Sequence, residues 1–422
     1  MKKKLLNTVL AACMLLSGCS APAATVQEQV DENTSGIITA GVKKLDFKNL
    51  DSKSYDEEAM RGHFMKFVFD LYAKTAEEND ANVMLSPYSL MSALELAAAG
   101  ADGDTLKQML SLYGDPDDPE ATIKYVSDLM EKFNSSGDVK LKVANAAWLQ
   151  GKIKDSPARE EYIKTISDFL GSEINMRDFG NKEGLKKEIN EWADGKTDGK
   201  IPELIDELSP DCVAVLVNTI LFEGKWAKEF SGSMRSEFHG KSGDKKTEFI
   251  SGKAEVYLES SKGKGFAKYY DGGDFAFVAL LPDDENVSMA DFVKELKPSE
   301  FEEFYKSGKE EVKVVMPSFE SRFKVKAPEI LQELGMTDAF DPAKADFGSI
   351  SEGLFIDDVI QETYIKVDKE GTEAAAASAV IMSKNAVSDR PEKIVKLDRP
   401  FVYAIVDRDS GTPVFIGHLQ DI

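Results

Sequence analysis

The chain is predicted to fold as one α+β domain built around a large mixed β-sheet, on three observations. Helical windows cluster in the first third, while strand-like runs alternate irregularly with helices afterwards; a repeated βαβ unit would give a regular alternation instead. No internal repeat and no Pro/Gly/Ser-rich linker interrupts residues 54–422. Ala214 to Phe222 is a continuous apolar run rich in β-branched residues, the composition of a strand covered on both faces.

The elements follow in order. Met60, Phe64, Phe67, Val68, Leu71 and Tyr72 recur at helical spacing and predict an amphipathic first helix. Asn82 to Leu85 reads as a short strand that turns at Ser86-Pro87 into a second helix, Leu90 to Ala99. Proline suits the first turn because the N–H it lacks would be unpaired there. Strands are predicted at Lys140 to Leu149, Val256 to Leu258, Phe275 to Leu281, Val312 to Met316 and Val402 to Val406. Further helices are predicted at Glu160 to Phe169, Glu183 to Trp192, Met289 to Leu296 and Ala327 to Leu334.

Composition is that of a globular protein, 42% hydrophobic and 30% charged. With 75 acidic against 52 basic residues the net charge is −23, which argues against nucleic acid or anionic membrane surfaces as partners. Lys2, Lys3 and Lys4 precede a short apolar segment, Leu5 to Leu16, and together they read as a signal peptide over residues 1–18. The junction Leu16-Ser17-Gly18-Cys19 resembles a bacterial lipobox, which makes Cys19 the expected site of lipidation. Residues 19–50 read as a polar, acidic tether that carries the folded body, 51–422, outside the cell. The protein is then either lipid-anchored to the envelope or released. No other segment approaches the ~18–20 apolar residues needed to span a bilayer. Cys212, beside Val213 to Val217, reads as a small buried side chain with no disulfide partner in the mature chain.

Catalytic signatures are missing. The histidines are His63, His239 and His418, with no H-E-x-x-H and no paired cysteines for zinc. No G-x-S-x-G elbow occurs. Gly240-Lys241-Ser242 lacks the upstream glycine of a P-loop, since Arg235 stands there, and Gly263-Lys264-Gly265 is followed by Lys268 where a third glycine would be needed. Neither a metal nor a cofactor is expected, and the chain is not read as an enzyme.

The segment Gly371, Thr372, Glu373, Ala374, Ala375, Ala376, Ala377, Ser378, Ala379 needs its setting to be read. Alanine has the best helix propensity, so the run alone favours a helix. Four segments nevertheless resemble the serpin family together: Asn82 to Ser89 with Ala93 and Gly100-Ala101; Leu216 to Trp226; Glu370 to Ala377; and Leu397 to Tyr403, with Pro413 to Gly417 behind it. Weaker agreement runs through Asn145 to Trp148, Asn190 to Ile201 and Phe277 to Pro282, so the resemblance covers about residues 55–422.

What the resemblance implies is a serpin domain: a large central sheet with two smaller sheets, eight to nine helices and an exposed reactive centre loop at about 369–396. It implies an inhibitor of serine-type endopeptidases, with cysteine proteases as a second class, acting as a suicide substrate outside the cell. The protease acylates a bait bond, the cleaved loop inserts into the main sheet, and the trapped enzyme is distorted; the family is the standard example of this strand addition. The residues can be checked against it. Positions entering between two strands favour small side chains and exclude proline, and no proline follows Gly371 until Pro391. Glu373 should fall on the outward face by period 2. The alternative readings are a non-inhibitory serpin-fold lipoprotein acting as a binding module and, far behind, a hydrolase with an unrecognised site.

By the same resemblance Ser86, Ser89 and Asn218 match a polar cluster where sheet strands separate, with Gln361 where many animal serpins have histidine. Trp226 matches the point where insertion begins, while Lys369 and Glu370 depart from the family's acidic residue two before the glycine. The position 14 beyond the hinge glycine is Asn385, followed by Ala386, which gives a segment of ~46 Å at ~3.3 Å per residue. Lys384 suits a trypsin-like target, and Met382-Ser383 resembles the bait of elastase-directed inhibitors. Val387 and Arg390 stay open as well. Lys124 and Lys132 are offset by Asp128 and Glu131, so no heparin-type polyanion site is expected. A monomer is expected.

Overall fold

The computed structural model describes residues 50, 52–134, 139–151, 157–308, 310–350, 352–372 and 393–422. Cys19, most of the tether, Glu373 to Ala377 and the bait candidates Met382, Ser383, Lys384, Asn385 and Ala386 lie outside them.

Helix α1 (Glu57–Glu78) starts where Asp56 accepts a hydrogen bond from the Ala59 N–H and Glu57 and Glu58 complement the helix dipole. It is followed by β1 (Val83–Leu85), α2 (Pro87–Ala98), α3 (Gly103–Tyr113), α4 (Pro119–Asn134), β2 (Lys140–Gln150), α5 (Pro157–Leu170), β3 (Glu173–Arg177) and α6 (Lys182–Lys196). Next come β4 (Ala214–Lys225), β5 (Gly232–Gly240), β6 (Gly243–Ala254), β7 (Val256–Glu259), β8 (Gly263–Tyr269), β9 (Phe275–Pro282), α7 (Met289–Glu295) and α8 (Pro298–Lys306). The chain closes with β10 (Val312–Pro317), β11 (Phe319–Lys326), α9 (Pro328–Glu333), β12 (Asp358–Val367), β13 (Gly371–Thr372), β14 (Ile394–Lys396), β15 (Phe401–Asp407) and β16 (Pro413–Leu419).

These strands form three sheets. The main one runs β11-β12-β13-β4-β2-β3, with its longest strands at the centre. A second of shorter strands runs β1-β16-β15-β9-β8-β7, and a third runs β14-β10-β6-β5. The expected α+β architecture is therefore present, with nine helices among the described residues. The second helix begins at Pro87 rather than Leu90, because Ser86 caps it through its side chain and the proline occupies the first turn. Leu50, at the end of the predicted tether, is buried and belongs to the core.

β4 is central and its first nine residues are buried, as expected for the run Ala214 to Phe222. It pairs antiparallel with β2 and parallel with β12, Asp358 opposite Val215 through Tyr364 opposite Leu221. Beyond Tyr364 and Leu221 the two strands part, and β13 lies in the opening. Thr372 pairs with Val367 on one side and Gly224 on the other.

Candidate functional site

A polar row crosses the middle of the main sheet. Asn145, Asn218 and Gln361 are direct cross-strand partners on β2, β4 and β12. Their side chains meet Ser86, Ser89 and Ser92 of α2, which fall on one helix face by their spacing. The Gln361 Nε2 donates to the Ser86 carbonyl and to Asn218 Oδ1, both at 2.9 Å, and its Oε1 accepts from the Ser86 N–H at 2.9 Å. Asn218 Nδ2 donates to the Ser89 carbonyl at 3.0 Å, to Ser89 Oγ and to Asn145 Oδ1 at 2.5 Å. Asn145 Nδ2 donates to Ser92 Oγ at 2.8 Å. All of these residues are buried, so each bond replaces one that water would have made. None of them titrates. The predicted residues Ser86, Ser89, Asn218 and Gln361 are thus brought together, and the structure adds Asn145 and Ser92.

Gln361 and Asn218 sit on the two strands that part above them, so their hydrogen bond spans the seam where another strand would enter. Above, the hinge is held from both sides. The Trp226 indole N–H donates to the Asp368 carbonyl at 2.9 Å, and its backbone N–H donates to the Glu370 carbonyl at 3.0 Å. The Phe230 N–H reaches the Lys369 carbonyl at 3.0 Å. Lys369 and Glu370, which depart from the family pattern, therefore contribute through their backbone. The ion pair at this turn is Lys366 with Asp368, at 3.7 Å. Asp368 Oδ1 accepts from the N–H groups of Glu370 and Gly371, at 2.9 and 3.2 Å, which tightens the turn into β13.

A Cβ on Gly371 would lie 2.3 Å from the Gly224 carbonyl oxygen, so no side chain fits there without moving the strand. Thr372 is fully buried, and its hydroxyl lies 2.7 Å from that of Tyr270. The Tyr270 ring stacks on Trp226 at 4.6 Å, and burial raises its pKa. Beneath this stack lies Lys268, buried, with its Nζ donating to the Lys253 carbonyl at 2.9 Å and 4.7 Å from the Phe230 ring. Burial lowers its pKa, opposed by Glu255. Tyr270, Asp368 and Lys268 were not singled out from the sequence. The Lys-Tyr-Tyr run at 268–270, at the end of a strand, was the available signal.

Cys212 is buried, which pushes its thiol up to about 12. Among the described residues no group of His, Cys, Asp and Glu could hold a metal ion, and no helix is long and apolar enough to cross a membrane.

The family model for serpins, described as serine protease inhibitors, matches residues 63–422. The chain belongs to the serpin family. An uncharacterised serpin-like protein of Thermococcus kodakarensis is 32% identical over 380 residues, covering 87% of each chain. The human leukocyte elastase inhibitor is 30% identical over 374 residues, 84% of this serpin and 97% of its own length. Among solved structures the thermophilic serpin tengpin in its native state superposes with a TM-score of 0.78 at 31% identity, over 88% of this chain and 96% of that one. Human thyroxine-binding globulin in complex with its ligand gives a TM-score of 0.76 at 22% identity, over 86% and 98% of the two chains, a likeness of fold alone.

Proposed function

We propose that this serpin inhibits serine-type endopeptidases by suicide-substrate loop insertion, with cysteine proteases as a second target class, and is not itself a catalytic enzyme. The observation that carries the reading is β13: Gly371 and Thr372 already pair with β4, and Thr372 with β12, in the opening between them. A strand continuing from Thr372 toward the polar row would meet ladder partners on both sides once β12 and β4 separate from Tyr364 and Leu221 down to Gln361 and Asn218. The small residues Ala374 to Ala379 and the absence of proline before Pro391 support the same reading. The bait bond is assigned to the stretch 382–390. The N-terminal segment supports export and attachment through a lipid on Cys19, with the domain acting outside the cell as a monomer.

The test is incubation with elastase-like, trypsin-like and subtilisin-like proteases followed by denaturing gels. A covalent band of summed mass supports the proposal, and mass analysis of the released C-terminal peptide locates the bait bond. Clipping without any covalent band, across the panel, would leave the non-inhibitory binding module as the reading.

A further inference from the structure

The third sheet has one face against the core and one toward solvent. Val395, Val314, Met316 and Ile250 are buried on the inner side. On the other side the register places Ile394 beside Lys313 and Lys253, then Lys396 beside Val315, Ser251 and Gly232, with Met234 two residues further along the edge strand β5, opposite the buried Phe249. Residues two apart on a strand share a face, so these rows form one surface. Met234 and Ile394 are 53% and 51% exposed, and they are the large apolar side chains left in solvent among the described residues. The cations between them are Lys313, Lys253 and Lys396, and no acid occupies these rows. Lys253 is paired at 2.9 Å with Glu311, just ahead of β10, and Lys396 at 2.8 Å with Asp398, just past β14. Lys313 has no ion-pair partner among the described residues. On a chain of net charge −23 this is a local reversal of sign.

Its position gives the reversal a use. β14 opens at Ile394, four residues after Arg390, so the chain leaving the bait stretch re-enters the body at the edge of this face. Ile394 lies only four residues beyond Arg390, so a protease seated at that end of the stretch approaches beside the face. Resting on the inhibitory reading above, we propose that this face is a second contact for the target protease, selecting enzymes that carry an acidic and apolar strip next to their cleft. Complementary charge of this kind raises the encounter rate and rejects wrong partners, while exposed apolar side chains gain from being covered. The chain's overall acidity would otherwise repel an acidic protease, so the reversal acts where approach is closest.

The experiment measures the second-order rate of covalent trapping and its stoichiometry with two surface variants of subtilisin, one with an acidic rim around the cleft and one with a basic rim. The wild-type serpin is expected to trap the acidic-rim form faster, by roughly tenfold at low salt, with the advantage shrinking as ionic strength rises. Lys313→Glu should reduce or reverse that preference, and Met234→Ser with Ile394→Ser should slow both forms. Stoichiometry should be unchanged in every variant, because the loop and the main sheet are untouched. Equal rates for wild type and variants, with trapping intact, would overturn the second contact alone. If neither subtilisin is trapped and loop cleavage leaves the melting temperature unchanged, the inhibitory reading falls and this proposal with it. Sedimentation provides the remaining arm: self-association that Lys313→Glu abolishes would assign the face to a second copy of the chain and overturn the proposal.

Discussion

Glu95 lies on α2 three residues after Ser92, fully buried, with Tyr113 donating to its Oε2 at 2.7 Å. Its Oε1 has no hydrogen-bond partner among the described residues. Burial raises its pKa to about 8, so the folded protein holds it as a neutral acid at pH 7. The unfolded chain ionises it above its ordinary value of 4.5. Stability from this group is therefore complete below about pH 4.5 and is lost as pH rises to about 8, by about 5 kcal/mol at most. Glu95→Gln keeps an acceptor for Tyr113 and cannot ionise. Its melting temperature is expected to gain on wild type steadily between pH 5 and 8 in calorimetry. A constant difference across that range would show that the carboxyl is not the cause. A charged residue in a helical run reads as solvated, so no local pattern marks Glu95; only packing against α3 reveals it. Thr372 belongs to the same scale. Fully buried against Tyr270, it leaves no room for a long cation, so Thr372→Arg should expel β13. Protease assays should then give clipped serpin and little covalent complex, and undiminished trapping would refute the role given to the hinge.

Elements carry the next scale, and here the polar row is the point of control. Replacing Asn218 by alanine leaves one of the two Gln361 Nε2 hydrogens and the Asn145 Oδ1 acceptor without their partner in the core, while the Gln361 bond to the Ser86 carbonyl survives. Leaving buried groups unpaired costs about 2–3 kcal/mol, which should appear as a melting temperature lower by several degrees. Because amides and hydroxyls make up the row, this deficit should be the same at pH 5.5 and pH 7.5; a pH-dependent deficit would mean that an ionising group takes part. Elements differ in how openly the sequence announces them. β4 is legible because its buried residues are apolar and β-branched. β12 is its neighbour and equally central, yet Gln361, Glu362, Thr363 and Lys366 hide it among polar residues. β5 and β6 went unassigned because much of both strands is exposed and their residues show little apolar alternation. Ser86, Ser89 and Asn218 were found through family resemblance. Asn145, Ser92 and Tyr270 become partners only when distant elements are brought together, which no local pattern records.

At the scale of the molecule, two buried groups tilt the stability curve in opposite directions. His418 lies between the Tyr72 hydroxyl and the Ala81 carbonyl, each at 3.1 Å from a ring nitrogen, and burial lowers its pKa to about 4. The folded ring stays neutral while the unfolded one takes a proton below about 6.5, so stability falls as pH drops from about 6.5 to about 4, by about 3 kcal/mol at most. Between pH 4.5 and 6.5 this loss on acidification offsets the gain from Glu95. Glu95→Gln should therefore unmask a stability that climbs from pH 4.5 to 6.5, where wild type is flatter; matching slopes would mean that Glu95 is not the buried neutral acid described. Cleavage within 382–390 should raise the melting temperature sharply if the freed strand joins the main sheet. An unchanged value would indicate a loop that stays outside.

β13 also bears on kinetics. Adding a strand to a sheet resembles helix growth: the first paired residue is costly because it fixes the backbone for few bonds, and each later residue is cheaper. With Gly371 and Thr372 already in register against β4, the nucleus exists before any protease arrives. On the inhibitory reading proposed above, elongation from Thr372 would proceed as a zipper, its rate governed by how fast the seam ahead opens. Whether a bound protease deacylates and escapes becomes, on that reading, a race between water and a travelling junction, which must release the β12–β4 ladder from Tyr364 and Leu221 onward before it reaches the Gln361–Asn218 hydrogen bond.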